Sequence, residues 1–387
     1  MNLLILTGPL YPQTGNNANL ISRLIPFMRE AGHEVRVFSQ AFGRDTSELP
    51  PEWSGVPVYW ATDDRRDPVR RLVFPAVSKL IDPNGFSDAL QMQIFLRELR
   101  RVRKLYQFDA VLSTSEPYTM AATAAALGGV KKVLYIMDPP ARVSRGKETP
   151  FRNRTLKTVI NRQDAVITTP FIISALREHG VISGGSGIVP VGFPMICEHE
   201  AEPGPRDDGK IDLLFCGWLY SDIRSPQYFL DILSRLDGRF RVTFMGRDCE
   251  TLRERFEIHT DAEIITLPNQ PYDAALRAMA QADILINIGN SVPVHMPSKT
   301  LEYINTGKPF VNFHKLSDCP TLYYTKRYPL CLDLYEGDAD IDTAAERFTE
   351  FCVENAGKTA DREYIEREYA ECTPRYIAGK ILDALGE

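Results

Sequence analysis

Short apolar runs alternate with amphipathic stretches along the first half of the chain. The runs that we predict to be β-strands are residues 3–7, 34–38, 110–113, 132–136 and 165–168. Between the first two, residues 19–31 place leucine, phenylalanine and methionine at helical spacing and end at Gly32. Strands that alternate with helices are typical of a parallel sheet covered by helices. This half of the chain is therefore predicted to be an α/β domain.

The same alternation restarts after a polar segment rich in proline and glycine. Residues 198–210 read EHEAEPGPRDDGK, so we predict a linker there. Predicted strands follow at residues 213–217, 241–245, 264–267, 284–288 and 310–313, with a helix over residues 226–236. We expect domains over residues 1–197 and 211–360 that face a cleft, where a ligand would bind. Residues 361–387 read as helices, broken at Thr373-Pro374, that pack back on the N-terminal domain.

Composition narrows the class of ligand. The 387 residues are 44% hydrophobic and 25% charged, as in ordinary globular proteins, and the net charge is -6. An acidic chain has no global attraction for nucleic acid, so an anionic ligand must be held by a local site. The apolar run at residues 3–6 has no basic leader before it, so we expect a cytoplasmic protein. The seven cysteines form no Cys-x-x-Cys pair, and we predict neither a metal site nor a cofactor.

The loop after the first strand contains a Gly-Asn-Asn turn at residues 15–17. Gly15 and Asn16 are candidate diphosphate ligands, because backbone amides at a helix N-terminus favour an anion. The loop is not G-x-G-x-x-G, and no acidic residue clearly ends the second strand, so nicotinamide binding is only weakly indicated. The alternative is an ordinary turn in which Asn17 caps the helix.

A second candidate follows the first strand of the second domain. Gly217 leaves space for a ligand at the end of that strand, and Arg224 precedes a helix, where it can pair with a phosphate. Arg224 could equally be a solvated loop charge.

The most specific segment is residues 297–310, PSKTLEYINTGKPF. We place Ser298 at a helix cap, Lys299 in the first turn and Glu302 one turn later. Ser298 and Lys299 would then face an anion at the positive end of the helix, and Glu302 could accept paired ribose hydroxyls. A capping arrangement is the alternative, although the acid lies at the fourth position rather than the third.

The run Pro-Ser-Lys-x-x-Glu-Tyr-x-x-x-Gly-Lys-Pro at residues 297–309 resembles the signature of nucleotide-sugar glycosyltransferases of the GT-B fold, in particular the retaining family 4 group. The Gly-Asn-Asn loop, the Gly217 loop and the tail broken at Pro374 are similar to that group's first βαβ unit, second-domain glycine loop and crossover helix. The resemblance implies two Rossmann-like parallel-sheet domains with a C-terminal crossover helix. It also implies an acceptor held by the first domain and a nucleotide sugar held by the second.

The resemblance also assigns individual residues. Glu302 matches the second glutamate of the family's E-x7-E motif, which is expected on the ribose, and Ser298 and Lys299 match the diphosphate end of the same helix. The loop expected to frame the base contains Leu267, Pro268 and Asn269.

Three positions depart from the family pattern. Val294 stands where the first glutamate is expected, Trp218 replaces an arginine, and Met137 replaces a histidine. Asp138 is then the nearest polar group and the candidate catalytic residue. His295 is the histidine best placed to reach the cleft.

These observations predict a hexosyltransferase that moves a sugar, most simply from a UDP-sugar, to a saccharide or lipid-linked saccharide. Lys299, Arg224 and helix-end amides would neutralise the departing diphosphate without a metal. A non-catalytic nucleotide-sugar-binding partner subunit is one alternative. A nucleotide-sugar epimerase of the same fold is another, disfavoured because no convincing set of acids and histidines for proton transfer is evident.

One basic stretch suggests a peripheral contact with the inner face of a membrane. On a helix with an apolar face, these side chains could attract an anionic lipid surface: Arg97, Arg100, Arg101 and Lys104. The alternative is a solvated helix face in which Glu98 dilutes the charge.

Overall fold

The computed structural model describes residues 1–8, 16–41, 53, 55–62, 89–138, 143–144, 147–148, 154–183, 187–197, 209–219, 223–338 and 340–386. Contacts divide the chain into two units. The first unit comprises Met1–Arg142, Thr149–Pro194 and Glu371–Glu387, and the second comprises Val143–Glu148 and Met195–Ala370. Among the described residues, no helix is long and apolar enough to span a bilayer.

The first unit contains a parallel seven-stranded sheet in the order β3-β2-β1-β4-β5-β8-β9. Its strands are β1 (Asn2–Thr7), β2 (Glu34–Ala41), β3 (Val58–Thr62), β4 (Ala110–Thr114), β5 (Lys131–Ile136), β8 (Ala165–Thr168) and β9 (Ile188–Pro190). Between β5 and β8, a short antiparallel pair joins β6 (Val143–Ser144) to β7 (Lys147–Glu148). The five predicted strands of this half are confirmed, and β4 and β8 are buried throughout because helices cover both faces of the sheet.

The helices before the second unit are α1 (Asn16–Ser22), α2 (Ile25–Glu30), α3 (Ala89–Leu105), α4 (Tyr118–Ala125), α5 (Arg154–Asn161) and α6 (Pro170–Glu178). The single helix predicted over residues 19–31 is wrong, because α1 and α2 are separate. Pro26 stands in the first turn of α2. Because proline has no backbone N–H, it cannot donate to Ser22 and continue the helix.

The second unit has a parallel six-stranded sheet in the order β12-β11-β10-β13-β14-β15. Its strands are β10 (Ile211–Cys216), β11 (Phe240–Met245), β12 (Glu263–Leu267), β13 (Ile284–Ile288), β14 (Phe310–His314) and β15 (Cys331–Tyr335). Its helices are α7 (Gln227–Leu233), α8 (Leu252–Arg255), α9 (Tyr272–Gln281), α10 (Lys299–Thr306), α11 (Leu322–Thr325), α12 (Ile341–Asn355) and α13 (Arg362–Glu368).

Aromatic side chains fill the core of the second unit on the α7 and α12 side of the sheet. Phe229 of α7 lies 4.9 Å from Phe313 of β14, measured between ring centroids, and both contact Phe348 of α12. The chain order reverses at β10, which pairs with β11 on one side and β13 on the other. Ligands of open parallel sheets bind at the carboxyl ends of the strands beside such a reversal.

The last helix, α14 (Pro374–Leu385), belongs to the first unit. Just before it, the Gly192 amide donates to the Glu371 carbonyl at 2.8 Å, and at its end Lys131 Nζ donates to the Leu385 carbonyl at 2.9 Å. The chain therefore returns to the first sheet after completing the second.

Candidate active site

The carboxyl ends of β10, β11 and β12 form one closely packed edge. The Gly217 amide donates to the Met245 carbonyl at 2.9 Å, and the Gly246 amide donates to the Leu267 carbonyl at 3.1 Å. Gly246 has a φ of 137°, and a Cβ atom there would lie 1.9 Å from the Gly217 carbonyl oxygen. Only glycine fits such an approach, so the two backbones meet directly at this edge.

Helix α10 begins at the same edge and is anchored to β10 by a buried tyrosine. Tyr303 Oη accepts a hydrogen bond from the Cys216 amide at 3.1 Å and donates to the Cys216 carbonyl at 3.3 Å. Burial raises the pKa of Tyr303 well above its ordinary value, which keeps the hydroxyl protonated. The first turns of α10 are therefore fastened to the end of the central strand.

Lys299 and Glu302 form an ion pair on the first turn of α10. Their side chains are only 22% and 13% exposed. Burial is the largest single effect on the pKa of Lys299 and lowers it, but the Glu302 carboxylate, with smaller contributions from Cys216 and Tyr272, raises that pKa to about 12. The site therefore holds a charged ammonium group and a carboxylate side by side.

The helix cap differs from the capping alternative. Ser298 precedes α10 as its cap residue, as predicted, but its side chain makes no capping hydrogen bond. Glu302 pairs with Lys299 instead of reaching back to the cap. The capping interpretation of these two residues is therefore wrong.

Asn290, two residues after the end of β13, connects two of the predicted residues. Its Oδ1 accepts hydrogen bonds from Arg224 Nε at 3.1 Å and Nη2 at 2.9 Å. Its Nδ2 lies 2.8 Å from His295 Nδ1 and donates to the His295 carbonyl at 2.8 Å. Arg224 Nη1 also donates to the Trp218 carbonyl at 3.3 Å. Arg224 is thus held against the Gly217 loop rather than extended as a loop charge.

Trp218 stands where the family pattern has an arginine, and another arginine, Arg247, packs over its ring. The Arg247 guanidinium lies 4.3 Å from the centroid of the Trp218 ring, and Trp218 Nε1 donates to Asp248 Oδ2 at 2.8 Å. A guanidinium over an indole ring is a favourable cation–π contact. Arg247 therefore places a positive charge beside Trp218, the residue that stands where the family pattern has an arginine.

The predicted base loop follows β12. Leu267 is half-buried, whereas Pro268 and Asn269 are exposed, and Gln270 Nε2 donates to the Pro268 carbonyl at 3.1 Å. The ring of Tyr272, which begins α9, has its centroid 6.0 Å from Lys299 Nζ. The end of this loop therefore lies beside the ion pair of α10.

Val294 has a left-handed backbone, with a φ of 70°. This conformation costs a β-branched residue about 1–2 kcal/mol. The residue lies between Asn290 and Ser298, where the family pattern places an acid, and it brings no charge.

The remaining predicted residues belong to the first unit. Gly15 lies outside the described residues, and Asn16 begins α1. Met137 is buried, and Asp138 after it is half-buried. Burial raises the pKa of Asp138, while the Glu116 and Asn17 side chains partly offset this rise.

Three residues of the site were not anticipated from the sequence: Asn290, Arg247 and Tyr303. Asn290 follows a fully buried strand, which is a recognisable position for a site residue, and Tyr303 lies inside the motif at residues 297–309. Arg247 carries no motif, because its proximity to Trp218 exists only once β10 and β11 pair. In the described part of the chain, no three His, Cys, Asp or Glu side chains are grouped as a metal ion would require.

Comparisons with known proteins agree with this architecture. A family model described as a glycosyl transferase 4-like domain matches residues 19–190. No curated protein sequence matches significantly.

The solved structures that match nearly the whole chain include the following three. The apo form of the lipopolysaccharide outer core galactosyltransferase WaaB is 14% identical, with a TM-score of 0.64 over 100% of this chain and 99% of that one. Sucrose-phosphate synthase from Thermosynechococcus elongatus is 12% identical, with a TM-score of 0.69 over 99% and 97%. Anabaena HepE in complex with UDP is 15% identical, with a TM-score of 0.63 over 100% and 99%.

The chain therefore has the GT-B fold, with two Rossmann-like parallel-sheet domains, and the predicted resemblance is confirmed at that level. The glycosyl transferase 4-like model matches the N-terminal part of the chain, and the likeness to the solved structures extends over both units.

Proposed function

We propose that this protein transfers a hexose from a UDP-sugar to a saccharide or lipid-linked saccharide, as in the synthesis of cell-surface polysaccharides or glycoconjugates. The observation that carries the proposal is the Lys299–Glu302 pair, held by Tyr303 at the carboxyl end of β10. A carboxylate suits two ribose hydroxyls, and an ammonium group at a helix N-terminus suits a diphosphate. One helix turn thus offers complementary groups to adjoining parts of a nucleoside diphosphate.

Further groups extend this donor site. Ser298 and the Gly217 loop would contact the diphosphate, Arg224 and Arg247 would supply positive charge, and the loop of Leu267, Pro268 and Asn269 would receive the base. His295 would face the sugar or the β-phosphate. The HepE structures that contain UDP, and UDP with glucose, support a uridine donor.

The reaction would be driven by charge stabilisation of the departing UDP. Fixed cations and amides stabilise the negative charge that develops on a leaving diphosphate, and we propose that they do so here without a metal. Asp138, whose pKa is raised by burial, would accept the proton that the acceptor hydroxyl loses as its oxygen bonds to the anomeric carbon and the bond from that carbon to UDP breaks.

Calorimetric titration with UDP, GDP and ADP tests the donor site. We expect UDP to bind, and Lys299→Ala to weaken its binding by about 1.5–3 kcal/mol, the range for a hydrogen bond to a charged group. Lys358→Ala, which changes an exposed lysine of the same unit, is the control and should bind UDP as the wild type does. Absence of binding by all three nucleotides at millimolar concentration would contradict the proposed donor site.

A partner subunit without catalysis is the second candidate, and the apolar Val294 favours it. UDP binding without sugar transfer or UDP-sugar hydrolysis, across a broad panel of donors and acceptors, would support this candidate instead. No observation favours the epimerase alternative.

The basic face of α3 supports peripheral binding to an anionic membrane. Arg97, Arg100, Arg101 and Lys104 are exposed, and Leu105 beside them is 81% exposed. Glu98 pairs with Arg101 at 2.7 Å and compensates part of the charge. Co-sedimentation with vesicles that contain phosphatidylglycerol should decrease when Arg97, Arg100 and Lys104 are changed to Glu. Equal sedimentation would favour a solvated face.

A further inference from the structure

We propose that Asn290 is a positioning residue that holds Arg224 without neutralising it and fixes His295 as the Nε2–H tautomer. The consequence for donor binding rests on the proposed function, whereas the tautomer does not. Asn290 is 1% exposed, and its amide lies between the two loops that follow β10 and β13. The same loops are joined where the Ser291 amide donates to the Ile223 carbonyl at 2.7 Å.

The surroundings allow only one orientation of the Asn290 amide. Arg224 presents N–H donors at 2.9 and 3.1 Å, so the group that faces it must be the acceptor Oδ1. The His295 carbonyl, 2.8 Å from the other end, requires a donor. If the amide were flipped, its Nδ2 hydrogens would face the N–H donors of Arg224, and its Oδ1 would face the carbonyl oxygen of His295.

This orientation determines where the proton of His295 lies. Asn290 Nδ2 can only donate, and it lies 2.8 Å from His295 Nδ1, so Nδ1 must be the acceptor. In a neutral imidazole the proton is then on Nε2. Nε2 of His295 is thereby a hydrogen-bond donor rather than an acceptor.

Asparagine also holds Arg224 without placing a negative charge beside the guanidinium group. An aspartate would accept the same two hydrogen bonds but would form an ion pair that cancels the charge. It would also favour a proton on His295 Nδ1. The amide therefore keeps both neighbours in the form that an anionic donor requires.

Two-bond 15N–1H correlation spectra of 15N-histidine-labelled protein test the tautomer directly. The signal of His295 among the six histidines is assigned by its loss in His295→Gln. At a pH where the ring is neutral, we expect the wild type to show a bare Nδ1 and a protonated Nε2. A protonated Nδ1 in the wild type would overturn the proposal, and this measurement requires no Asn290 variant to fold.

Asn290→Asp should move the proton of His295 to Nδ1, and Asn290→Ala should abolish the preference for one tautomer. The matched control is Asn287→Asp, which changes a buried asparagine on β13 whose Nδ2 donates to Asn312 instead. It should leave the His295 spectrum unchanged. A His295 spectrum that is the same in Asn290→Asp, Asn290→Ala and the wild type would also contradict the proposal.

Calorimetry then separates this inference from the proposed function. We expect Asn290→Asp to weaken UDP binding by at least about tenfold, because the charge of Arg224 is cancelled, and Asn287→Asp to bind as the wild type does. If the wild type shows the expected tautomer but binds no UDP, the donor site is wrong and the tautomer assignment stands. If UDP binds equally to the wild type and Asn290→Asp, the proposed role toward Arg224 is wrong.

Discussion

The ion pair on α10 predicts a specific loss of stability in Glu302→Gln. Burial alone lowers the pKa of Lys299, yet the pKa is about 12 beside Glu302 instead of 10.5. This difference corresponds to about 2 kcal/mol in favour of the charged lysine in the folded protein. Because burial opposes this rise, we expect Glu302→Gln to lower the free energy of unfolding by at least about 2 kcal/mol at pH 7, since a largely buried ammonium group loses its counter-charge.

The same pKa defines the pH dependence of this loss. Because the folded-state pKa is raised, the contribution of Lys299 is complete below pH 10.5 and is lost as the pH rises through about 12. Urea unfolding followed by circular dichroism should show a difference between wild type and Glu302→Gln that is largest near neutral pH. The difference should narrow as the pH rises to about 12, and this should begin below 10.5, because burial without Glu302 lowers the pKa of Lys299 in the variant.

Glu366→Gln provides the matched control in the same unit. Glu366 pairs with Arg362, but their side chains are 52% and 37% exposed, so this change should cost less than about 1 kcal/mol. A loss of stability in Glu302→Gln that is no larger than in Glu366→Gln, or that does not change with pH, would contradict this prediction.

Nucleotide binding by Glu302→Gln separates a structural ion pair from a ribose contact. If the carboxylate accepts both ribose hydroxyls, UDP affinity should fall roughly ten- to a hundredfold, and the preference for UDP over 2′-deoxy-UDP should largely disappear. Loss of stability with an unchanged preference would leave Glu302 as the partner of Lys299 alone.

Three further changes test the framework of the site. Tyr303→Phe should lower the free energy of unfolding in urea by about 1–3 kcal/mol, because the buried Cys216 amide loses its acceptor. An unchanged free energy of unfolding would contradict the role of Tyr303 in holding α10 to β10. Gly246→Ala should prevent folding or cost more than about 4 kcal/mol, since its Cβ would lie 1.9 Å from the Gly217 carbonyl oxygen; a wild-type melting temperature would show that the edge can open. Val294→Gly should raise the free energy of unfolding by up to about 1 kcal/mol, because glycine accepts a φ of 70° without strain; a decrease would show that the valine side chain contributes to packing.

The central strands of both sheets could be predicted because burial on two faces requires continuous apolar sequence. The edge strands β3, β9 and β15 were missed, since β9 has only three residues and β15 is half-buried over most of its length. Such strands depend on a neighbour for their hydrogen bonds rather than on their own pattern. The split between α1 and α2 was predictable in principle from Pro26.

The candidate site was predictable where it depends on one helix. The positions of Ser298, Lys299 and Glu302 follow from helical spacing, although the ion pair between the last two was not anticipated. The contact of Asn290 with Arg224 joins residues that are far apart in sequence, and it requires the pairing of β10 with β13. Sequence spacing carries no information about such a contact.

The Tyr303 anchor gives the Cys216 amide an unusual role as an internal reporter. This N–H donates to a side chain of α10, so it becomes accessible to solvent when the helix separates from β10, even while the sheet remains intact. The hydrogen–deuterium exchange rate of this amide would then measure how often α10 separates from β10. A nucleotide that binds at the start of α10 should slow the exchange of this amide more than it slows the exchange of amides in β14. The exchange rate would then report whether the site is occupied, without a label or a coupled reaction.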